Sequence, residues 1–244
     1  MPIKDILVHV GTSPACADRL ALAANLARRY DAYLIGAGAP ESPTAEDSFR
    51  TMLRSAGVVG EWRGIIGLPE SFVARQARGA DLVILGQHDP DEPTGLDAPE
   101  DVILACGRPV LVVPHAKLFE QIGAAVLIGW NGSREATRAV HDALPLMEMA
   151  AAVTVLSVNP EPGDEWGTDD VVQHLARHGL TVRAETFQPE ALADADALRS
   201  RAVHIGADLI VMGAYGRSRL REMILGGMTQ DVLENVTVPV LMAH

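Results

Sequence analysis

A chain of 244 residues with 48% hydrophobic and 21% charged side chains is globular, long enough for one large core or two of ordinary domain size. A formal net charge of −12 argues against duplex or single-stranded nucleic acid as the main partner, because such proteins usually carry a basic face. Cys16 and Cys106 lie far apart and outside any Cys-x-x-Cys spacing, which implies neither a disulfide framework nor a zinc site.

The N-terminus runs from Met1-Pro-Ile-Lys-Asp5 directly into the strand-like Ile6 to Val10, with no room for a signal sequence. The longest apolar runs, Ala124 to Trp130 and Ala150 to Val158, fall far short of the roughly 20 residues a spanning helix needs. A cytoplasmic protein with no membrane partner is expected. After the first strand, Ser13-Pro14 offers an N-cap and a first-turn proline to a helix carrying Leu22, Leu26 and Tyr30 at a spacing of four. The next helix ends at Gly57, and the strand Ala80-Asp-Leu-Val-Ile-Leu-Gly86 leads into the acidic loop Gln87 to Asp97. A last strand, Val110 to Val113, closes the first half.

Past a junction near 116–123 the same order recurs. Ile6 to Ser13 matches Val126 to Ser133, Ala80 to Gly86 matches Ala207 to Gly213, and Pro109 to His115 matches Pro239 to His244. Ser133 caps a helix with Ala136, Val140 and Leu144 in its apolar row, and the helix Val171 to His178 ends at Gly179 as its counterpart ends at Gly57. Short Val/Ile/Leu runs without polar alternation, separated by helical patterns, signal parallel strands covered on both faces. The expectation is an α/β chain of two repeated doubly wound domains, five strands each. A ligand in such a sheet sits beyond the carboxyl ends of the strands, where the loops after strands one and four meet. Asn131 and Gly213 then face one ligand.

Gly213-Ala-Tyr-Gly216 followed by Arg217, Ser218, Arg219 and Arg221, and then by Gly226-Gly227-Met228-Thr229, reads as a phosphate loop directly after the apolar run Leu209 to Met212. It is neither the Walker pattern nor the dinucleotide fingerprint. Its alternative is ordinary loop punctuation before a helix. Three arginines in a chain of negative charge suit a compact polyphosphate, or else form a solvated face. Asn131-Gly132 can present a side chain to a ribose or an adenine edge, and is equally a strong turn pair. The first half has Gly11 at that place, and acids and prolines where the second has glycines and arginines, so one working site and one degenerate site are expected. His174 and His178, four apart on a helix, lack the glutamate of a metalloprotease run, and the helix dipole already explains them. No Gly-x-Ser-x-Gly elbow is present.

On the glycine loop and the doubled Ala-Asp-Leu and Pro-Val-Leu segments, the chain resembles the universal stress protein A family, specifically its tandem two-domain members, over almost its whole length. The resemblance implies domains at 1–118 and 122–244, each a five-stranded parallel sheet in the order 3-2-1-4-5. It also implies ATP, or AMP or ADP, with or without Mg2+, held by a Gly-x2-Gly-x9-Gly-Ser/Thr loop matched here by Gly213, Gly216 and Gly226. Carried over by position, Asn131 stands where the family places an aspartate near the adenosine, Val158 where a main-chain group meets adenine, and Met212 at the strand end. Arg217, Ser218, Gly227, Met228 and Thr229 complete the candidate set, with Gly227 in place of a phosphate-binding Ser/Thr and Ser218 or Thr229 as compensating donors. The family pairs its last strands edge to edge, implying an internal pseudo-dimer and a homodimer, with a protein partner still to be identified. The function implied is stress-response regulation by an adenine nucleotide, with slow ATPase activity at most. A scaffold that binds no nucleotide is the alternative. An enzyme of the adenine-nucleotide α-hydrolase-like group ranks last, since neither a Ser-Gly-Gly-x-Asp-Ser loop nor a His-x-Gly-His pair is present.

Overall fold

The computed structural model describes residues 2–39, 43–89, 96, 98–115, 118–160, 167–189, 192–216 and 227–244. The chain divides into two compact units, Met1–Gln121 and Ile122–His244. The first runs β1 (Asp5–Val10), α1 (Pro14–Tyr30), β2 (Tyr33–Gly38), α2 (Pro43–Ala56), β3 (Gly60–Gly64), α3 (Pro69–Ala77), β4 (Leu82–Gly86), α4 (Pro99–Cys106) and β5 (Val110–Val113). The second repeats it as β6 (Ala125–Gly129), α5 (Arg134–Met147), β7 (Ala152–Val158), α6 (Thr168–Arg177), β8 (Val182–Phe187), α7 (Asp194–Ile205), β9 (Leu209–Gly213), α8 (Met228–Asn235) and β10 (Val240–Ala243). Each unit holds an all-parallel sheet in the expected order, β3-β2-β1-β4-β5 and β8-β7-β6-β9-β10.

Helices cover both faces, α1 with α2 on one and α3 with α4 on the other, and the runs Leu7-Val8, Ile84-Leu85, Leu127-Ile128 and Ile210-Val211 are buried between them. A strand buried on both faces has no reason to alternate polar and apolar residues, which is why these segments read as continuous hydrophobic runs. Gly57 and Gly179 follow α2 and α6 with φ of +65° and +83°, the left-handed geometry that stops a helix. Pro14 opens α1 with Ser13 at its N-cap, although the Ser13 side chain makes no cap bond. Ser133 does cap α5, its Oγ accepting from the Ala136 N–H at 3.1 Å. No described helix is long and apolar enough to cross a membrane. Cys16 and Cys106 are buried free thiols.

The repeated motifs have structural causes. Asp208 accepts from the main-chain N–H groups of Gly123, Ala124 and Ala125 at 2.9 to 3.1 Å, pinning the start of β6 to the start of β9. Asp81 does the same for Lys4 and Asp5 at 2.8 and 3.1 Å. The carbonyls of Pro109 and Pro239 accept from Val83 and Ile210, registering the last strand of each unit on its neighbour. Both halves of the repeat signature therefore hold strand starts in place.

On the edge strand β8, Glu185 receives two hydrogen bonds from Arg201 of α7, at 2.6 and 2.7 Å. The Arg201 hydrogen bond outweighs partial burial, and with the nearby Arg183 it holds the Glu185 carboxyl below its usual range. A depressed carboxylate contributes stability that is present above its unfolded pKa and lost as pH falls through the folded one. Arg201→Met is expected to cost about 1 kcal/mol at neutral pH. Urea unfolding should show that cost vanishing below the normal carboxylate range; a pH-independent difference would assign it to packing instead.

Candidate functional site

The strand β6 stops at Gly129 because the chain must turn at its carboxyl end. The Trp130 N–H still donates to Leu156 O at 2.9 Å, and the Ser157 hydroxyl donates to Trp130 O at 3.1 Å, which anchors the exit to β7. Asn131 Oδ1 then accepts from the Ser133 N–H at 3.1 Å, and Gly132 takes φ +66°. This is an Asx turn, and it leads straight into the Ser133 cap. The turn and the ligand readings of Asn131 are compatible in geometry: the carboxamide oxygen closes the turn, and the NH2 end of an exposed side chain is what remains to meet a ligand.

At the end of β9, Gly213 lies against the first turn of α5. A Cβ there would stand 2.4 Å from Ala136 N and 2.7 Å from the Glu135 carbonyl carbon, both main-chain atoms. The need for glycine at this position is thus met by helix-on-strand packing, whatever an anion adds. Gly213→Ala is expected to cost about 3 kcal/mol, and to lower the melting midpoint of the C-terminal unit by about 10 °C or more. A calorimetric midpoint equal to the parent's would disprove the packing argument.

Tyr215 follows in the left-handed region at φ +53°, a conformation that costs a non-glycine residue energy and recurs at ligand-contacting turns. Its N–H donates to Thr229 Oγ1 at 3.1 Å, and Thr229 is buried at 2% exposure. That bond ties the beginning of the glycine loop to α8 and gives the hydroxyl a structural duty. Gly227 is the N-cap residue of α8, with no side chain to cap it, and opens the helix that the sequence predicts there.

Gly129, Trp130, Asn131, Leu156, Val158, Asp194, Leu198, Met212, Gly213, Tyr215, Gly216, Met228 and Thr229 line one cleft of about 120 Å³ at the carboxyl ends of β6, β7 and β9. Of the residues singled out in the sequence, Asn131, Val158, Met212, Gly213, Gly216, Met228 and Thr229 meet here. Gly227 does not reach the lining. Arg217, Ser218 and Gly226, with Arg219 and Arg221, fall outside the described residues, as do 90–95 and 97 of the acidic loop in the first unit.

Sequence reasoning passes over Gly129, Trp130, Leu156, Tyr215 and two residues of α7. Asp194 accepts from Asn159 Nδ2 at 2.8 Å, and Asn159 itself holds φ +45° to make that reach. Leu198 stands 3.4 Å from where a Gly129 Cβ would be. The signal for Gly129 was available in the repeat, since the position opposite it is His9.

A carboxylate sits beside Gly216. Glu135 is 5% exposed, ion-paired to Arg134 at 2.5 Å, and its Oε2 would be 3.4 Å from a Cβ on Gly216. Burial raises its pKa, but the Arg134 hydrogen bond, its own main chain, and the charges of Arg134 and His244 together bring it below the usual value. It is ionised at neutral pH. His174 and His178 stack edge to face with centroids 4.8 Å apart, and no group of metal-binding side chains occurs among the described residues.

Residues 193–244 match the model of the Universal stress protein family. A universal stress protein of Synechocystis sp. is 27% identical over 146 residues, which cover 58% of this chain and 49% of that protein, so the chain spans about half the length of this relative. A universal stress protein from Archaeoglobus fulgidus superposes with a TM-score of 0.76 at 15% identity, covering 98% of this chain and 97% of that one. A functionally unknown protein from Pseudomonas aeruginosa gives 0.65 at 18% identity, covering 99% and 92%. At such identities the structural likeness establishes the fold, and the resemblance first seen in the glycine loop and the repeats is borne out.

Proposed function

We infer that this chain, which carries the tandem fold and the C-terminal segment of the universal stress proteins, is a stress-response regulatory protein whose C-terminal unit binds an adenine nucleotide. One observation carries the reading. Seven residues chosen for nucleotide contact, from separate stretches of the chain, line a single cleft where a doubly wound sheet takes its ligands. Apolar walls from Leu156, Val158, Leu198 and Met212 suit a flat base, with Asn131 and Asp194 as polar groups for its edge or a ribose. Phosphates would extend toward the segment between Gly216 and Gly227. The ligand is ATP, AMP or ADP, with Mg2+ where phosphates recruit it, and the protein acts in the cytoplasm through a protein partner. No positioned general base among the described residues marks it as more than a slow ATPase.

Three observations favour the second reading, a scaffold without nucleotide. The cleft of about 120 Å³ is below the ~300 Å³ at which small-molecule sites usually begin. Glu135 presents an ionised carboxylate next to Gly216, and Gly227 stands where a Ser/Thr would meet phosphate. The deciding experiment is release and chromatographic identification of small molecules from the freshly purified protein, followed by calorimetric titration with ATP, ADP and AMP. About one nucleotide per chain supports the first reading; none, with no titratable affinity, supports the scaffold.

Gly216→Val is expected to weaken nucleotide binding about a hundredfold by placing a branched side chain in the loop. Its Cβ would meet Ser133 Oγ at 3.3 Å, so a modest loss of stability should accompany it. An unchanged dissociation constant would remove the glycine loop from the site.

A further inference from the structure

The two units differ on the face that carries the first two helices of each. In the N-terminal unit α1 and α2 pack along one another, and beneath α2 lie Phe49 and Trp62 with ring centroids 5.8 Å apart. Gly36 makes room for them, since a Cβ there would be 2.8 Å from the Phe49 ring. Counting back from the glycines that end the two helices, Phe49 corresponds to Val171. By sheet register Trp62 corresponds to Ala184, and Gly36 to Val155. Two aromatic rings are exchanged for a valine and an alanine, and the gain of one valine on the strand does not replace them.

The result is a groove of about 690 Å³ between α5 and α6, floored by Trp130, Val140 and Val171, each less than a tenth exposed. Among the described residues its rim carries Arg134 and Arg177 against one carboxylate, that of Asp170. Arg134 gives Nε to Glu135 while its side chain is 82% exposed, and Arg177 makes no ion pair with a described residue. In a chain of net charge −12, an apolar floor under two arginines complements an anion with an apolar body. The volume fits a small molecule, in the range of roughly 300 to 1,000 Å³, and is short of what a docked helix of about 10 Å diameter would occupy.

We propose that the α5/α6 groove is a second ligand site, taking a small flat aromatic carboxylate whose ring lies on Trp130, Val140 and Val171 and whose head group meets Arg177 and Arg134. Trp130 lines both this groove and the proposed nucleotide cleft, but the groove lies between α5 and α6 on the face of the sheet opposite Met212 and Leu198, and the proposal does not depend on nucleotide binding.

Calorimetric titration of the full chain with naphthoate tests it. Saturable binding at one equivalent per chain is expected, with the neutral analogue naphthalenemethanol at least about tenfold weaker. Val171→Phe, made together with Val155→Gly because Val155 stands where Gly36 makes room for Phe49, should abolish binding, with an unchanged melting temperature confirming the fold. Arg177→Glu, a substitution on an exposed helix face, should weaken it about tenfold. Absence of saturable binding, equal affinity for the neutral analogue, or full affinity in the Val171→Phe, Val155→Gly double variant would each overturn the proposal.

Discussion

Replacing Gly129 with histidine is expected to eliminate adenine-nucleotide binding by the C-terminal unit while leaving its melting midpoint within about 3 °C of the parent. The argument comes from the repeat. In the N-terminal unit β1 pairs with β2 from Asp5 to Val10, and in the C-terminal unit β6 pairs with β7 from Ala125 to Gly129, so the fifth residue of each is His9 and Gly129. His9 is 2% exposed, whereas Gly129 opens onto the cleft. A Cβ at Gly129 would have ordinary contacts of 3.4 Å to Leu198 and 3.6 Å to Met212, so the backbone tolerates a side chain there. The imidazole beyond that Cβ would occupy a space of about 120 Å³, leaving none for a base. Removing a strand glycine also contributes roughly 0.5 to 1 kcal/mol of stability, which offsets the burial of a polar ring. Calorimetric titration decides the outcome: retained affinity in Gly129→His would mean that the nucleotide, if bound, lies elsewhere.

The same pair of residues shows how far the sequence could be read. The two-unit architecture was legible because buried parallel strands have a distinctive composition, and because the order of segments recurs. What the recurring Ala-Asp-Leu motif does was not legible. Asp81 and Asp208 pin strand starts by accepting main-chain N–H bonds from residues more than seventy positions away, a pairing that only the folded sheet creates. The glycine loop pointed to the right end of the sheet, yet it gave Gly213 an anion-binding reason where contact with Ala136 supplies a steric one. Asp194 and Leu198 escaped notice because a helix following β8 has no sequence signal that turns its first two turns toward β6. A closer comparison of the halves would have found Gly129, since a histidine in one strand and a glycine in its counterpart cannot both leave the same space.

That histidine leads to the largest expected effect on stability. Burial, with a further contribution from the Arg19 charge, lowers the His9 pKa to about 3, and its Nε2 has no hydrogen-bond partner among the described residues. The folded protein thus holds His9 neutral, while the unfolded chain protonates it near 6.5. Above that value both states are neutral and the group contributes nothing. As pH falls below it, the unfolded state gains a proton that the folded state refuses, and stability declines at about 1.4 kcal/mol per pH unit until the folded pKa is reached. Over the whole window the loss is on the order of 5 kcal/mol, a large part of what holds a domain of this size together. His9→Leu should therefore match the parent within about 1 kcal/mol above neutrality, and exceed it by about 2.5 kcal/mol two pH units below the unfolded pKa. Hydrogen exchange of the β1 amides reads the N-terminal unit alone. Parallel pH profiles for parent and variant would show that His9 is protonated in the folded state, and that burial does not hold the ring neutral.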